Sequence, residues 1–260
     1  DLVDPMWPDD VLDQIAAELR GVPDRYGLTI HSAFIGLAHY TYNQLLHPRF
    51  PVRDAAETWL ERAYRFAAAA GIPRVGGPLG AVAARRDGTE PDSIAEADYA
   101  DLIERMGRLA RAAKKHGLAE LYVEPTPLRR EWPWTPDQAR RMLADLTASE
   151  VPWKLCVDWG HALFEPVYGG YRARMEPWIE ALGGEIGVFH IQQTDGRYDR
   201  HWDFTEAGAV DPVAAASLLR RHGLADRPVF LEVFYPFERD DRSVLDAVKS
   251  SATALRSAFS

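Results

Sequence analysis

The sequence predicts an α/β protein, a (β/α)8 barrel. Three observations carry this. Strand-like and helix-like segments alternate along nearly the whole chain, which implies a parallel sheet. The 260 residues are enough for one such barrel, or for two small domains. Successive strands end in titratable side chains, which is where a barrel sets its chemistry.

The elements follow in order. Residues 1–5, DLVDP, read as the end of a strand that begins upstream, and a helix opens at Pro8 and Asp9 and runs to about Leu19. LTIHSAF (28–34) is the first complete strand. Residues 35–51 hold His39, Tyr40, Tyr42, Asn43 and His47 without helical periodicity, a length that marks a functional loop. Residues 53–70 form an amphipathic helix closed by Gly71, then a strand at 72–78 and a polar excursion at 85–92. A long helix at 95–116 ends at Gly117, followed by a strand at 118–124. A helix at 135–148 has Thr135 as N-cap and Pro136 at its first position. A strand at 153–158, a helix at 171–182 and a buried strand at 186–191 come next. The chain closes with a helix at 211–222 capped by Asp211, a strand at 229–234 and a helix at 241–259.

That makes six complete strands where a barrel has eight. The simplest account is one barrel domain over residues 1–260, N-terminally incomplete, with its first strand–helix unit and most of its second strand upstream of residue 1. An open doubly wound sheet would carry a Gly-rich nucleotide loop after an early strand, and Gly76, Gly77 and Gly80 do not match that fingerprint.

Composition narrows the function. A net charge of -9 argues against a nucleic-acid partner, which would draw on a basic face. The single cysteine, Cys156, lies in an apolar run and has no internal partner, which fits a cytoplasmic location. No apolar run reaches the ~18 residues that cross a bilayer.

The chemistry lies at four strand ends. Glu124 in LYVEP, Asp158 in LCVDWGH, His190 in VFHIQQ and Glu232 in VFLEVF each sit in or close an apolar run. A lone carboxylate at a strand end is usually capped by a helix or an arginine, and a lone histidine in an apolar strand is usually a satisfied core residue. Four in successive strands, at the same end, would be buried and mutually unfavourable without a cation. Three carboxylates and one imidazole suit one divalent ion: Mn2+, Mg2+, Co2+ or Zn2+.

The order Glu124, Asp158-Trp-Gly-His161, His190 and Glu232 resembles the xylose isomerase-like TIM barrel superfamily of sugar phosphate isomerases and epimerases. Three loops, HYTYNQLLHP (39–48), QQTDGRYDRHWDF (192–204) and LEVFYPFE (231–238), are most similar to the D-erythrulose 1-phosphate 3-epimerases within the ketose 3-epimerase branch. The resemblance implies one divalent ion on Glu124, Asp158, His190 and Glu232, with Glu124 and Glu232 also passing the proton at C3 of a short ketose. The ion would stabilise the enediolate as a Lewis acid. His161 would aim at the substrate carbonyl, or else support Asp158. Arg197 and His201 would bind a phosphate, and Gln192, two residues beyond His190, would meet a hydroxyl. Asp195 would orient Arg197 or hold a second ion. Glu131 and Arg130 lie where epimerases place a substrate contact, in a loop that departs from the epimerase pattern. Trp132, Trp134, Trp159 and Trp202 would wall the mouth, although core packing alone accounts for some of them.

The partner implied is a small sugar or sugar phosphate, with neither nucleic acid nor membrane. Barrels of this kind often form homodimers, though no stretch marks an interface. An aldose–ketose isomerase is the nearest rival, since the same carboxylates serve a 1,2-proton shift. An endonuclease IV-like nuclease needs more metal ligands and a basic face. A sugar-binding barrel without catalysis would leave the four ligands without a purpose.

Overall fold

The computed structural model describes residues 3–36, 44–83 and 94–260. The chain divides into two compact units. One comprises Asp1–Glu124, Arg129–Trp132 and Gln138–Lys154; the other comprises Pro125–Leu128, Pro133–Asp137 and Leu155–Ser260.

In the first unit, α1 (Asp9–Arg20) and the short α2 (Val22–Tyr26) precede β1 (Ala33–Phe34), α3 (Phe50–Ala69), β2 (Arg74–Gly77), α4 (Glu96–His116) and β3 (Glu120–Val123). β1 pairs with β2, and β2 with β3, all parallel, so spatial order follows chain order. Gly76 is required at the centre of this sheet. A Cβ there would lie 2.4 Å from the Tyr122 Cβ and 2.9 Å from the Phe34 ring. The helices carry the expected 3.6-residue stripe: Leu102, Met106, Leu109 and Ala113 of α4 are fully buried, as are Leu60, Tyr64 and Ala67 of α3. Beside this apolar seam the two helices share an ion network. Arg53 binds Asp98 and Asp101, while Arg105 binds Asp54, Glu57 and Asp101.

The second unit takes the end of β4 (Trp153–Asp158), the four-residue α6 (Trp159–Ala162), α7 (Glu176–Leu182), β5 (Ile186–Ile191), α8 (Pro212–Arg221), β6 (Val229–Leu231) and α9 (Asp241–Phe259). The remaining helix, α5 (Pro136–Asp145), lies between β3 and β4 in sequence. All six residues of β5 are buried, as expected of a strand with parallel neighbours on both sides. Asp211 caps α8 by accepting the N–H groups of Val213 and Ala214, and Asp240 caps α9 through Ser243 N–H.

Several boundaries move, for physical reasons. β4, β5 and α9 fall where the apolar pattern puts them. The expected helix at 171–182 begins only at Glu176, because Pro177 lacks an N–H and belongs in a first turn. For the same reason α3 starts at Phe50, with Pro51 in its first turn. The expected strand at 28–34 shrinks to Ala33–Phe34, which among the described residues has β2 alone as a strand partner. The strand at 229–234 stops at Leu231. The strand end expected at 1–5 is not found: Val3 and Asp4 are irregular and Pro5 opens a turn, while residues 1–2 lie outside the described part. So do His39, Tyr40, Tyr42 and Asn43 of the long loop and all of the excursion at 85–92.

Candidate active site

Register aligns the functional ends of the second unit. Asp158, the last residue of β4, pairs with His190 of β5. His190 pairs with Phe230, and the ladder continues one step beyond β6, where Glu232 N–H donates to Ile191 O at 3.1 Å. Three side chains thus leave the same end of the sheet. Each offers a donor atom, and these atoms lie within 4.8 Å of one another.

Asp158 is fully buried and caps α6. Its Oδ1 accepts the His161 backbone N–H and the Gln192 Nε2–H, both at 2.9 Å. Its buried Oδ2 has no hydrogen-bond partner among the described residues. His190 Nδ1 lies 2.7 Å from Glu232 Oε2. Burial pushes the Glu232 carboxyl up, but the hydrogen bond with His190 and the charges of His190, His201 and His161 outweigh it, and the net shift is downward. Two carboxylates and an imidazole with a buried, unpartnered carboxylate oxygen fit a divalent cation, which would satisfy that oxygen. Glu124, the remaining expected ligand, follows β3 in the first unit. It is 6% exposed, and its N–H donates to Gly77 O at 3.1 Å.

Beyond β5 the chain stays buried although its residues are polar: Gln192, Gln193, Thr194, His201 and Asp203 are all below 9% exposed. Gln193 bridges to Trp202 in an antiparallel pair and holds Val210 through both ends of its amide. This folds residues 192–204 back over the strand end. There Asp199 lies between two histidines, with Oδ2 3.3 Å from His161 Nε2 and Oδ1 3.0 Å from His201 Nε2. Burial pushes the Asp199 carboxyl up, but the charges and hydrogen bonds of His161 and His201 hold it far below the usual range. His201 in turn is pushed down by burial and raised on balance by Asp199. The other ring nitrogen of His161, Nδ1, faces Pro125 O at 3.1 Å.

The remaining expected residues fall out differently. Gln192 is fully buried, and its amide is engaged by protein groups: Asp158, Asp199 and the His201 N–H. Arg197 is exposed, and only its backbone N–H meets Asp195. The Asp195 side chain is taken by Arg200, through bonds of 2.7 and 3.1 Å that, with the Arg197 N–H, bring its carboxyl down to about 2 despite some opposing burial. Arg200 also stacks on Tyr198 and Trp202, so this guanidinium is committed. Glu131 pairs with Ala81 in the first unit. Trp134 meets Tyr171 edge-on, and a cleft beside Asp158 and His161 is lined by Thr126, Trp134, Tyr171 and Trp178. Asp199 has no role in a reading of the sequence alone. The one available signal is its spacing two residues before His201, in a segment otherwise rich in arginine.

Alternating β/α units with carboxylates and imidazoles gathered at strand ends define a class of barrel, and comparison with known proteins agrees. The xylose isomerase-like TIM barrel family matches residues 3–257, and the chain belongs to that family. A protein of Rhodospirillum rubrum ATCC 11170, named provisionally as a xylose isomerase, is 40% identical, with a TM-score of 0.91 over 99% of this chain and 86% of that one. The fold is shared with a 3-keto-D-glucoside 4-epimerase from E. coli, 18% identical, TM-score 0.69, over 94% of this chain and 86% of that one. It is shared too with a D-allulose 3-epimerase from Methylomonas sp., 20% identical, TM-score 0.67, over 95% and 77% of the two chains. Comparison with curated proteins gives no match. No helix among the described residues is long and apolar enough to cross a membrane. Membership of the family, with sugar epimerases among the structural neighbours, is consistent with an isomerase-class enzyme acting on carbohydrates.

Proposed function

We propose that this chain is a divalent-metal-dependent epimerase acting at C3 of a short ketose, with an erythrulose phosphate as the specific substrate. The observation that carries the reading is the buried, unpartnered Oδ2 of Asp158 beside His190 and Glu232. In this reading Glu124 supplies the fourth ligand and the second proton-transferring carboxylate, on the ground of its place after β3 and of the sequence resemblance. An ion held there would polarise the C2 carbonyl and spread the charge that develops when C3 loses its proton.

The protein's own groups do the rest. Glu232 removes the C3 proton: the C3–H bond breaks, its electron pair becomes the C2–C3 double bond, the C2–O π pair moves onto the carbonyl oxygen, and the carboxylate becomes a carboxylic acid. Glu124, protonated at the outset, gives its proton to the opposite face of C3: the C2–C3 π pair forms the new C3–H bond, the oxygen pair re-forms the C2 carbonyl, and Glu124 is left as a carboxylate. The substrate keeps its place between the two groups, so inversion needs no large rearrangement. His161, whose Nδ1 faces Pro125 O and whose Nε2 faces Asp199, turns its Nε2–H from Asp199 to the C2 oxygen when substrate enters. Trp134, Tyr171 and Trp178 shield the site from water. Arg197, exposed on the same loop as His201, is the proposed contact for a phosphate.

Proton exchange in deuterated water tests this. With Mn2+ present, erythrulose phosphates and free ketoses are offered side by side. Deuterium at C3 together with a C3 epimer is the expected result. Deuterium at C1 with an aldose product makes the enzyme an aldose–ketose isomerase on the same groups. No exchange with any ketose, while metal is bound, overturns both.

A further inference from the structure

Gln192 lies two residues beyond His190 and is completely buried. Its amide meets three protein groups. The Nε2 donates to Asp158 Oδ1 at 2.9 Å and to Asp199 Oδ1 at 3.3 Å, and the Oε1 accepts the His201 backbone N–H. The orientation of this amide is forced, because two carboxylates demand the donor end and one N–H demands the acceptor end.

The opposite wall is just as specific. Gly160, inside α6, lies against the Gln192 side chain. A Cβ at this position would fall 2.6 Å from both Cδ and Nε2, closer than real Cβ contacts come. The glycine therefore leaves the space that the amide fills. Asp158 Oδ1 is saturated from both sides, by the backbone of α6 and by Gln192. Only Oδ2 remains.

We infer that Gln192, seated against Gly160, is a positioning residue: it fixes Asp158 so that a single oxygen faces a cation, and it ties to that carboxylate the loop that bears Asp199 and His201. This rests on the reading of Asp158 as a metal ligand. Without the amide, Asp158 can rotate and offer both oxygens, and the 199–201 segment loses its attachment to β4. Groups that orient a ligating carboxylate typically govern metal affinity by about 10- to 100-fold.

The test uses the intact chain and Mn2+ as the probe, with affinity from calorimetry and the Mn2+ paramagnetic resonance spectrum as a report on symmetry. Four variants are compared at matched folding by circular dichroism: Asp158→Ala, Gln192→Ala, Gln192→Glu and Gly160→Ala. Gln192→Glu keeps the shape but replaces the donor with an acceptor facing Asp158. Gly160→Ala leaves Gln192 in the sequence and displaces it. The expected result is loss of binding in Asp158→Ala and a 10- to 100-fold weakening with an altered spectrum in the other three. A merely packing role for Gln192 would leave Gln192→Glu near wild type. Mn2+ affinity within twofold of wild type in Gln192→Glu and Gly160→Ala, with binding lost in Asp158→Ala, overturns the positioning role alone. Equal Mn2+ binding by wild type and Asp158→Ala, or none by either, overturns the ligand reading and this inference with it.

Discussion

His161 and His201 face each other across one carboxylate, that of Asp199, which contacts the first at 3.3 Å and the second at 3.0 Å. The two rings come from different sequence neighbourhoods, α6 and the loop after β5, and approach edge to face with centroids 6.0 Å apart. To reach this position His201 adopts a left-handed backbone with φ of 48°, a conformation that non-glycine residues accept at a cost of order 1 kcal/mol or more. The loop meets that cost with buried hydrogen bonds: Gln192 Oε1 accepts the His201 N–H, and Gln193 Nε2 donates to Val210 O.

Asp199 is therefore expected to matter as an organiser of both imidazoles. Asp199→Asn keeps the size but removes the charge and one acceptor. It should lower kcat/KM by about 10- to 100-fold. Thermal stability should fall only modestly, since the Asp199 side chain is 30% exposed. Steady-state kinetics beside a melting curve check this. Unchanged kcat/KM would make the carboxylate a structural tie.

The two proposed acid–base groups should separate by the face they serve. Glu232→Gln removes proton transfer from one face, and Glu124→Gln from the other. Each should reduce epimerisation by at least about 10²-fold, the usual scale of general acid–base catalysis. Solvent deuterium should still enter one C3 epimer in each variant but not in the same one. Identical exchange patterns in the two variants would show that a single carboxylate carries both transfers.

The ion network between α3 and α4 makes a prediction about stability and pH. Arg105 is 4% exposed and is shared by Asp54, Glu57 and Asp101. Burial pushes the Asp101 carboxyl up, but hydrogen bonds from Arg53 and Arg105 and their charges outweigh it, so its folded pKa is depressed. A depressed carboxyl stabilises the fold fully above its unfolded pKa, near 4, and that contribution disappears as pH falls through the folded value. Arg105→Ala should cost about 2 kcal/mol at pH 7, because it removes charge-assisted bonds to Glu57 and Asp101 and leaves Asp101 with Arg53. It should also flatten the loss of stability on acidification below pH ~4. Urea unfolding at pH 7, 4 and 3 measures both. A cost that is the same at all three pH values would remove Asp101 from the account.

Much of this arrangement is visible in the sequence, and the part that is not has definite causes. β4 and β5 are legible because both are mainly apolar runs, with Lys154 near the start of β4 and a polar residue at each functional end, Asp158 and His190. β1 and β6 are half-buried and extend only as far as their pairing, which an apolar count cannot locate. The helix starts at Phe50 and Glu176, each just before a proline, follow from proline chemistry but need the adjoining loop to be known. Asp199 shows in the sequence as one of a cluster of titratable residues after β5, but its role does not, because its partners lie at positions 161 and 201 and that role exists only after the loop folds back. Arg200 illustrates the reverse. It carries the charge a phosphate wants, yet Asp195 and two aromatic rings already claim it, and no spacing rule distinguishes it from Arg197.

That distinction yields the last prediction. With Arg200 paired to Asp195, and His201 turned towards Asp199, Arg197 is the cation of this loop whose side chain remains exposed. Under the proposed function it closes on the phosphate of the substrate. An exposed guanidinium that meets a dianion only on binding contributes through charge-assisted hydrogen bonds, on the order of 1.5–3 kcal/mol. Arg197→Ala should therefore raise KM for an erythrulose phosphate by about 10- to 100-fold while leaving kcat and the KM for the free ketose nearly unchanged. Arg200→Ala should act differently. It releases Asp195 and loosens the loop, so it should lower kcat for both substrates alike. Parallel kinetics on the phosphorylated and free sugars resolve the two. If Arg197→Ala weakens both substrates equally, Arg197 does not read the phosphate.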